Sequence, residues 1–391
     1  MQIAIVGGGV GGLVTAMLLG QDGHEVTLLE RDPAPPPDPR EAWAEWERRS
    51  VNQFRLLHFF APGFRRLLEA ELPHAAAALE AAGALRFNPM RLAPPQLTGG
   101  FREDEDDDFE ALTARRPVAE AALASAAAAT PGVTARRGVS VAGLLTAPSR
   151  HPSAVPHVTG VRLEDGQELL ADLVVDSSGR RSRLPAWLGD IGAAPPIEDV
   201  EDSGFIYYGR HFRSADGSVP AMLSGLLTAA GSVSLLSLPA DNGTWGLGII
   251  ASAGDAAVRG LKDPEVWMRV ARSFPLVAHW TEGEPLDDGV VVMAKIEDRY
   301  HRFVVDGAPV ATGVVAVGDS WACTNPSLGR GATLALMHAV ALRDTLRTGV
   351  ADDPAKLALD FDAATEAVVG PWYRETVAFD RHRLHEMEAV I

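Results

Sequence analysis

Residues 1–30 limit what this chain can fold into more than any other stretch, because they read as strand, glycine turn, helix and strand. Residues 3–6 are apolar and rich in β-branched side chains, as a buried parallel strand requires. Gly7, Gly9 and Gly12 follow at the G-x-G-x-x-G spacing. The first permits a tight turn, the second lets a pyrophosphate reach the backbone, and the third lets helix and strand pack closely. Residues 13–19 continue as a helix whose N-terminus offers free N–H groups and a positive dipole end. Residues 26–29 form the second strand, closed by Glu30 at about the 20-residue separation where a carboxylate meets the ribose hydroxyls and repels a 2′-phosphate. The pattern points to a dinucleotide, against the plainer reading of a glycine-rich turn that binds nothing. It does not choose between FAD and NAD.

With 391 residues, 47% hydrophobic and 22% charged, the chain has globular composition and length for two domains or one large one. A net charge of −17 argues against nucleic acid as a partner. No apolar run approaches the roughly 20 residues of a membrane span. A strand beginning at Met1 leaves no room for a signal peptide. Cys323 is the only cysteine, which excludes a disulfide framework and a cysteine-based metal site. These features predict a cytoplasmic protein.

Along the chain, residues 33–39 form a proline-rich connector. Residues 54–68 carry apolar side chains at helical spacing, interrupted by Pro62 and Gly63, and residues 72–83 continue as helix. Residues 85–97 read as a strand and its turn. The six acids 103–108 read as a solvated loop, since they lack the spacing and glycine of a calcium loop. A helix follows from residue 113, with Pro117 in its first turn. Residues 139–145 form a strand. Residues 158–163 and 168–175 form a hairpin that runs into Asp176-Ser-Ser-Gly179. Residues 195–299 change character: four stretches (204–212, 225–228, 233–238 and 244–251) read as antiparallel strands, and 264–274 as a helix. No second glycine fingerprint occurs there, which predicts a substrate domain whose inward sheet face walls a pocket. Residues 303–306 and 314–317 return to strand. The second runs into Gly318-Asp319, a loop, and a long apolar helix; a pair of helices around Gly370-Pro371 closes the chain.

The N-terminal fingerprint, together with strand–Gly318-Asp319–loop–Pro326-x-x-Gly329-x-Gly331–helix, resembles the FAD-dependent aromatic-hydroxylase-type monooxygenases. These are the para-hydroxybenzoate hydroxylase-like, group A flavoproteins. The resemblance selects FAD and implies that Asp319 binds its ribityl chain. The family continues Gly-Asp-Ala-Ala-His, where this chain has Ser320, Trp321, Ala322 and Cys323 after Gly-Asp. A third match is Ala171-Asp-Leu-Val-Val-Asp-Ser-Ser-Gly179 followed by Ser182-Arg183, with Ser178 in place of the family's acid. Arg116 is similar to the family arginine that reaches the FAD phosphate or ribose, with Arg115 as competitor. Gln53 matches a polar position near the flavin. The FAD site so implied comprises Gly7, Gly9, Val10, Gly11, Gly12, Glu30, Arg31, Gln53, Arg116, Val141, Gly179, Gly318, Asp319, Pro326, Gly329, Gly331 and Ala332. Gly329 and Gly331 let backbone lie against a planar ring, and the helix from Ala332 aims its positive end at an anionic ring edge.

The fold implied is α/β: a Rossmann-like, GR2-type FAD-binding domain (1–75, 105–190 and 300–391 with the C-terminal helices) and an inserted antiparallel-sheet substrate domain (76–104 and 191–299). The matched motifs cover roughly 1–60, 110–190 and 300–345 and are silent on the substrate. The reaction implied is insertion of one atom of O₂, by hydroxylation or epoxidation, through a flavin C4a-hydroperoxide. Its substrate would be small and hydrophobic or aromatic, natural products included. NAD(P)H or a partner flavin reductase would supply electrons. A reductase or dehydrogenase of the same fold, or a flavin-binding protein without turnover, is the alternative. Related halogenases need a lysine near the flavin and a Trp-x-Trp-x-Ile-Pro motif. Neither matches here, since 244–250 hold one tryptophan and no proline and the first lysine is Lys262.

No catalytic residue is assigned, because the cofactor carries this chemistry. His58, His211, His301 and His338 lie where they could approach the flavin, though a lone histidine is more often structural. His382, His385 and Glu386 share a helix face with too few ligands for a metal. Cys323 reads as a buried inert thiol rather than a flavin tether. Phe205, Tyr207, Tyr208, Phe212, Trp245 and Trp321 could line a pocket or fill a core.

Overall fold

The computed structural model describes residues 1–92, 95–147 and 155–391. The elements that position the site are, in chain order, β1 (Gln2–Val6), α1 (Val10–Gln21), β2 (Glu25–Glu30), α2 (Pro62–Glu71), α3 (Arg116–Ala129), β3 (Val133–Arg137), β4 (Leu173–Asp176), β5 (Phe205–Arg213), β6 (Val233–Pro239), β7 (Thr244–Ser252), β8 (Val314–Ala316), α4 (Gly331–Arg347), α5 (Pro354–Val368) and α6 (Gly370–Glu388).

Five strands form a parallel sheet in the order β8-β4-β1-β2-β3. Strand alternation divides β1 between two cores. Ile3 and Ile5 pack with Leu13, Val14, Leu28, Val175 and Leu336 against the helical layer, while Ala4 and Val6 face Leu144, Val161, Trp187 and Trp321. On that second face lies a three-stranded antiparallel sheet of Val141–Thr146, Val158–Leu163 and Glu168–Leu170. The close approach of α1 to β1 depends on Gly12: a Cβ there would lie 1.8 Å from the Gly7 carbonyl oxygen. The alanines of α3 give a similarly thin helix, nearly all of it buried.

The antiparallel sheet runs Leu227–Ala230, β6, β7, β5, then Glu284–Pro285, with Val291–Met293 also paired to β5. One face is closed by Pro264–Arg272 over Phe212, Trp245, Leu247, Ile249 and Trp267. The other carries Phe205, Tyr207, Leu236, Leu238 and Ile250 and meets Leu56 and Leu57. A small third sheet pairs Ile197–Asp202, Glu297–Arg302 and Ala322–Cys323, tying this region to the loop after β8.

Several local expectations change. Residues 54–61 are not helical; α2 begins at Pro62, so the proline starts the helix instead of interrupting it. The strand expected over 85–97 is Leu85–Phe87 alone, followed by short helical turns, and positions 93 and 94 lie outside the described residues. The acid run forms a helical turn and a 3₁₀ turn instead of a loop. Its Asp106 is buried and accepts the Arg102 N–H at 2.8 Å. The strand over 168–175 breaks at 171–172: its first part stays in the hairpin, while β4 joins the parallel sheet, anchored by Gln2 N–H donating to Asp172 Oδ2 at 2.7 Å.

Candidate functional site

A cavity of about 470 Å³ opens between the C-terminal ends of the parallel strands and the antiparallel sheet. Every residue of the expected site lines it except Gly12, whose place is the β1–α1 contact. Two helices start at its wall, α1 from Gly9 and α4 from Arg330, and neither N-terminus is capped by a side chain. Elsewhere the chain does supply caps: Asp263 accepts from Glu265 and Val266 N–H, and Asp353 from Lys356 N–H. The two uncapped starts therefore leave free N–H groups and positive dipole ends facing the cavity. No atom lies within 4 Å of where a Cβ on Gly331 would stand, and at Gly9 only the Arg116 guanidinium approaches, at 4.0 Å. These are cradles open to a ligand.

Asp319 reaches the wall from the turn after β8 and makes no hydrogen bond or ion pair to the protein. Burial raises its pKa, with Arg180 and Arg116 pulling the other way. Glu30 lines the same cavity but is already engaged. Its Oε2 accepts Gly8 N–H at 2.8 Å and pairs with Arg48, and its Oε1 accepts Asp32 N–H at 2.8 Å. Arg48 is 4% exposed and also binds Asp32, Glu120 and the Gly8 carbonyl. Burial works against its charge, but Glu120, Glu30 and Asp32 outweigh that and hold its pKa above the ordinary value. Glu120, wholly buried in α3, is opposed by burial too, and Arg116 and Arg48 pull its pKa below the usual range. Arg116 Nε donates to Glu120 Oε1 at 2.6 Å. Arg115 points elsewhere, in a two-pronged pair with buried Asp241, and does not line the cavity.

The histidines are structural. His58 faces the cavity, but its Nδ1 lies 3.0 Å from the Leu56 carbonyl and its Nε2 lies 3.2 Å from Arg116 Nη1. Those partners fix the Nδ1–H tautomer and occupy the remaining lone pair. Burial, then Arg116, lowers its pKa to about 4. His338 accepts Gly318 N–H at Nδ1 and meets Thr365 Oγ1 at Nε2. His301 bridges the Ser320 carbonyl and Glu198. His211 packs on Trp43 with ring centroids 4.6 Å apart. His382 and His385 are exposed, and among the described residues no cluster of His, Cys, Asp or Glu could hold a metal ion.

Ala322 and Thr324 face the cavity, so strand alternation turns Cys323 away, its Sγ 3.7 Å from the Glu297 carbonyl and its pKa raised by burial to about 12. Of the aromatic candidates, Tyr207 and Tyr208 line a small space beside Leu57 and Pro326; the rest are core. At the mid-chain motif, Asp176 Oδ1 accepts both the N–H and the hydroxyl of Ser178, so the serine closes the turn on itself.

Residues 5–35 match the family model described as an NAD(P)-binding Rossmann-like domain. The chain is 28% identical over 392 residues to Protein Rv3254 of Mycobacterium tuberculosis, covering 94% of this chain and 77% of that protein. It superposes on PqsL of Pseudomonas aeruginosa, described as a probable FAD-dependent monooxygenase, with a TM-score of 0.65 at 18% identity, over 100% of this chain and 99% of the other. With the myxobacterial chondrochloren halogenase CndH, a variant of FAD-dependent halogenases, the TM-score is 0.68 at 20% identity, over 97% and 82%. The fold is that of the FAD-dependent monooxygenases and halogenases.

Within this flavoprotein fold, Arg48 and Glu120 are the site residues that the motifs miss. Glu120 has a faint signal, the sole charge inside the alanine-rich run 117–129. Arg48 has none, because it lies in an aperiodic segment and its partners are distant in sequence.

Proposed function

We propose that the chain is an FAD-dependent monooxygenase acting on a small hydrophobic or aromatic substrate. The observation that carries this reading is the meeting, in one cavity, of two uncapped helix starts, Arg116 and an unpartnered Asp319, continuous with the apolar wall of Leu227, Leu236, Leu238 and Met293. The N–H groups of 9–11 and Arg116 would hold the pyrophosphate. The open lone pair of Glu30 Oε1 would accept from the ribose, and Asp319 from the ribityl chain. Pro326 and Gly329 would border the ring, with the start of α4 at its pyrimidine edge. When bound, FAD supplies the reduction of O₂ and the transfer of one oxygen atom. The chain's own part is to orient the substrate on the sheet face and exclude water. Electrons would come from NAD(P)H or a partner flavin reductase. PqsL has been captured with 2-aminobenzoylacetate, which supports a flat, aromatic class of substrate. No helix among the described residues is long and apolar enough to cross a membrane, which fits the proposed cytoplasmic location.

The test is direct. Protein incubated with FAD and desalted should be yellow at one flavin per chain, and Asp319→Ala should retain several-fold less. Reduced protein given ¹⁸O₂ and a panel of aromatic acids and phenols should yield a product with one ¹⁸O. Flavin uptake with H₂O₂ as the sole oxygen product across the panel would favour a reductase or a non-catalytic flavoprotein instead.

A further inference from the structure

Asp380, on α6, has no part in the reading above, yet its position is costly. It is 2% exposed; its Oδ1 accepts the Ser327 hydroxyl at 2.5 Å and its Oδ2 has no partner. Two residues before Ser327, the buried Asn325 accepts the Tyr207 hydroxyl at 2.6 Å and donates its backbone N–H to Asp298 Oδ1 at 2.6 Å, while its own Nδ2 is unpartnered. The loop that borders the cavity at Pro326–Gly329 is thus held from behind by two buried carboxyls and a tyrosine, drawn from three elements.

No cation is paired with Asp380. Arg330 faces it but bridges to Glu375, and on α6 itself Arg381 pairs with Glu201 while Arg383 is spent on Ser234, Glu386 and the carbonyls of Gly231 and Val233. Arg180 acts on Asp298 and Tyr207 and donates to the Thr324 carbonyl. Tyr373, also on α6, stacks on Tyr300. Burial, reinforced by Asp298, lifts the Asp380 pKa to about 7. An asparagine would fill this place at no charge-burial cost. A carboxyl is warranted where a proton must come and go.

We propose that Asp380 is the proton-holding residue of the site, acting through Ser327. With Asp380 ionised, the Ser327 hydroxyl donates inward to Oδ1. With Asp380 protonated, its O–H donates to Ser327 Oγ and the serine hydrogen is released toward the cavity. Proton delivery then balances: the Asp380 proton moves to Oγ as the Oγ proton moves to a ligand oxygen or nitrogen, leaving carboxylate, intact serine and protonated ligand. Asp380 is a positioning residue, since Ser327 alone would touch the ligand.

This rests on the flavin reading, and the experiment separates the two. Bound FAD serves as the probe: its absorbance and fluorescence are followed from pH 5 to 9. The wild type should show a one-proton transition near pH 7. Asp380→Asn should lose the transition while keeping its FAD content, Asp380→Glu should restore it at a shifted midpoint, and Ser327→Ala should lose it because the link is cut. Ser327→Ala is the smaller change and decides the matter if Asp380→Asn does not fold. Absence of FAD uptake would refute the flavin reading. FAD uptake without the transition, or a transition that survives in Asp380→Asn or Ser327→Ala, would overturn this proposal.

Discussion

Arg48 shows how one side chain can set the chemistry of a cavity wall. It neutralises Glu30, Asp32 and Glu120, and without it their negative charge would oppose a pyrophosphate at the Gly9 turn. Arg48→Met should therefore be severe: leaving buried carboxylates unpaired costs about 3–5 kcal/mol. Urea unfolding of Arg48→Met, Glu120→Leu and the double variant checks this. The double variant should be more stable than the sum of the singles implies, and strict additivity would refute the coupling. Gly12 is the opposite kind of residue, readable from spacing alone. Gly12→Ala should drive β1 and α1 apart, because the added Cβ meets backbone at 1.8 Å. The expected outcome is a lower Tm together with weaker FAD retention. The contrast marks what was legible at this scale: local backbone demands leave a spacing in the sequence, whereas ion pairs that join residues 30, 48 and 120 leave none.

At the scale of elements, the antiparallel sheet and the segment 50–61 explain each other. Gly209, Gly246 and Gly248 lie together on the cavity-facing side of β5 and β7, with Gly209 opposite Gly248 in register. A Cβ on Gly209 or Gly246 would come within 2.4 or 2.6 Å of the Leu57 side chain. Leu57 thus seats on a glycine floor, and this contact, with Arg55 donating to the Trp43 and Trp46 carbonyls, keeps 54–61 out of the helix its apolar spacing predicts. Strand alternation made β5–β7 readable; the partner that overrides helical spacing came from nearly two hundred residues away. Leu57→Ala should cost about 2–5 kcal/mol, the usual range for a large-to-small change in a packed site. A denaturation midpoint equal to wild type would mean that the segment does not rely on this seat. Gly246→Val should perturb the same segment from the sheet side.

Across the whole molecule, the parallel sheet draws strands from both ends of the chain, and His338 pins the join. It links Gly318, in the turn after β8, to Thr365 on α5. Its burial lowers its pKa to about 3, so the fold requires the neutral ring. A base with a depressed folded pKa contributes stability that is complete above its unfolded value, near 6.5, and is lost as pH falls below it. For His338 alone that loss reaches about 2 kcal/mol at pH 5. His58 and His211 act in the same direction. Asp380 has the other sign: its raised pKa gives stability that is complete below about pH 4 and is lost as pH rises through about 7. Between pH 4 and 6.5 the two kinds of group oppose each other, and wild-type stability alone cannot separate them. A variant can. His338→Gln keeps one acceptor and one donor but cannot take up a proton. It should be less stable than wild type at pH 8, where the imidazole geometry is better, and should close that gap by about 2 kcal/mol on going to pH 5. Denaturant unfolding at the two pH values measures the gap, and parallel profiles would show that protonation of His338 does not limit the acid stability of the fold.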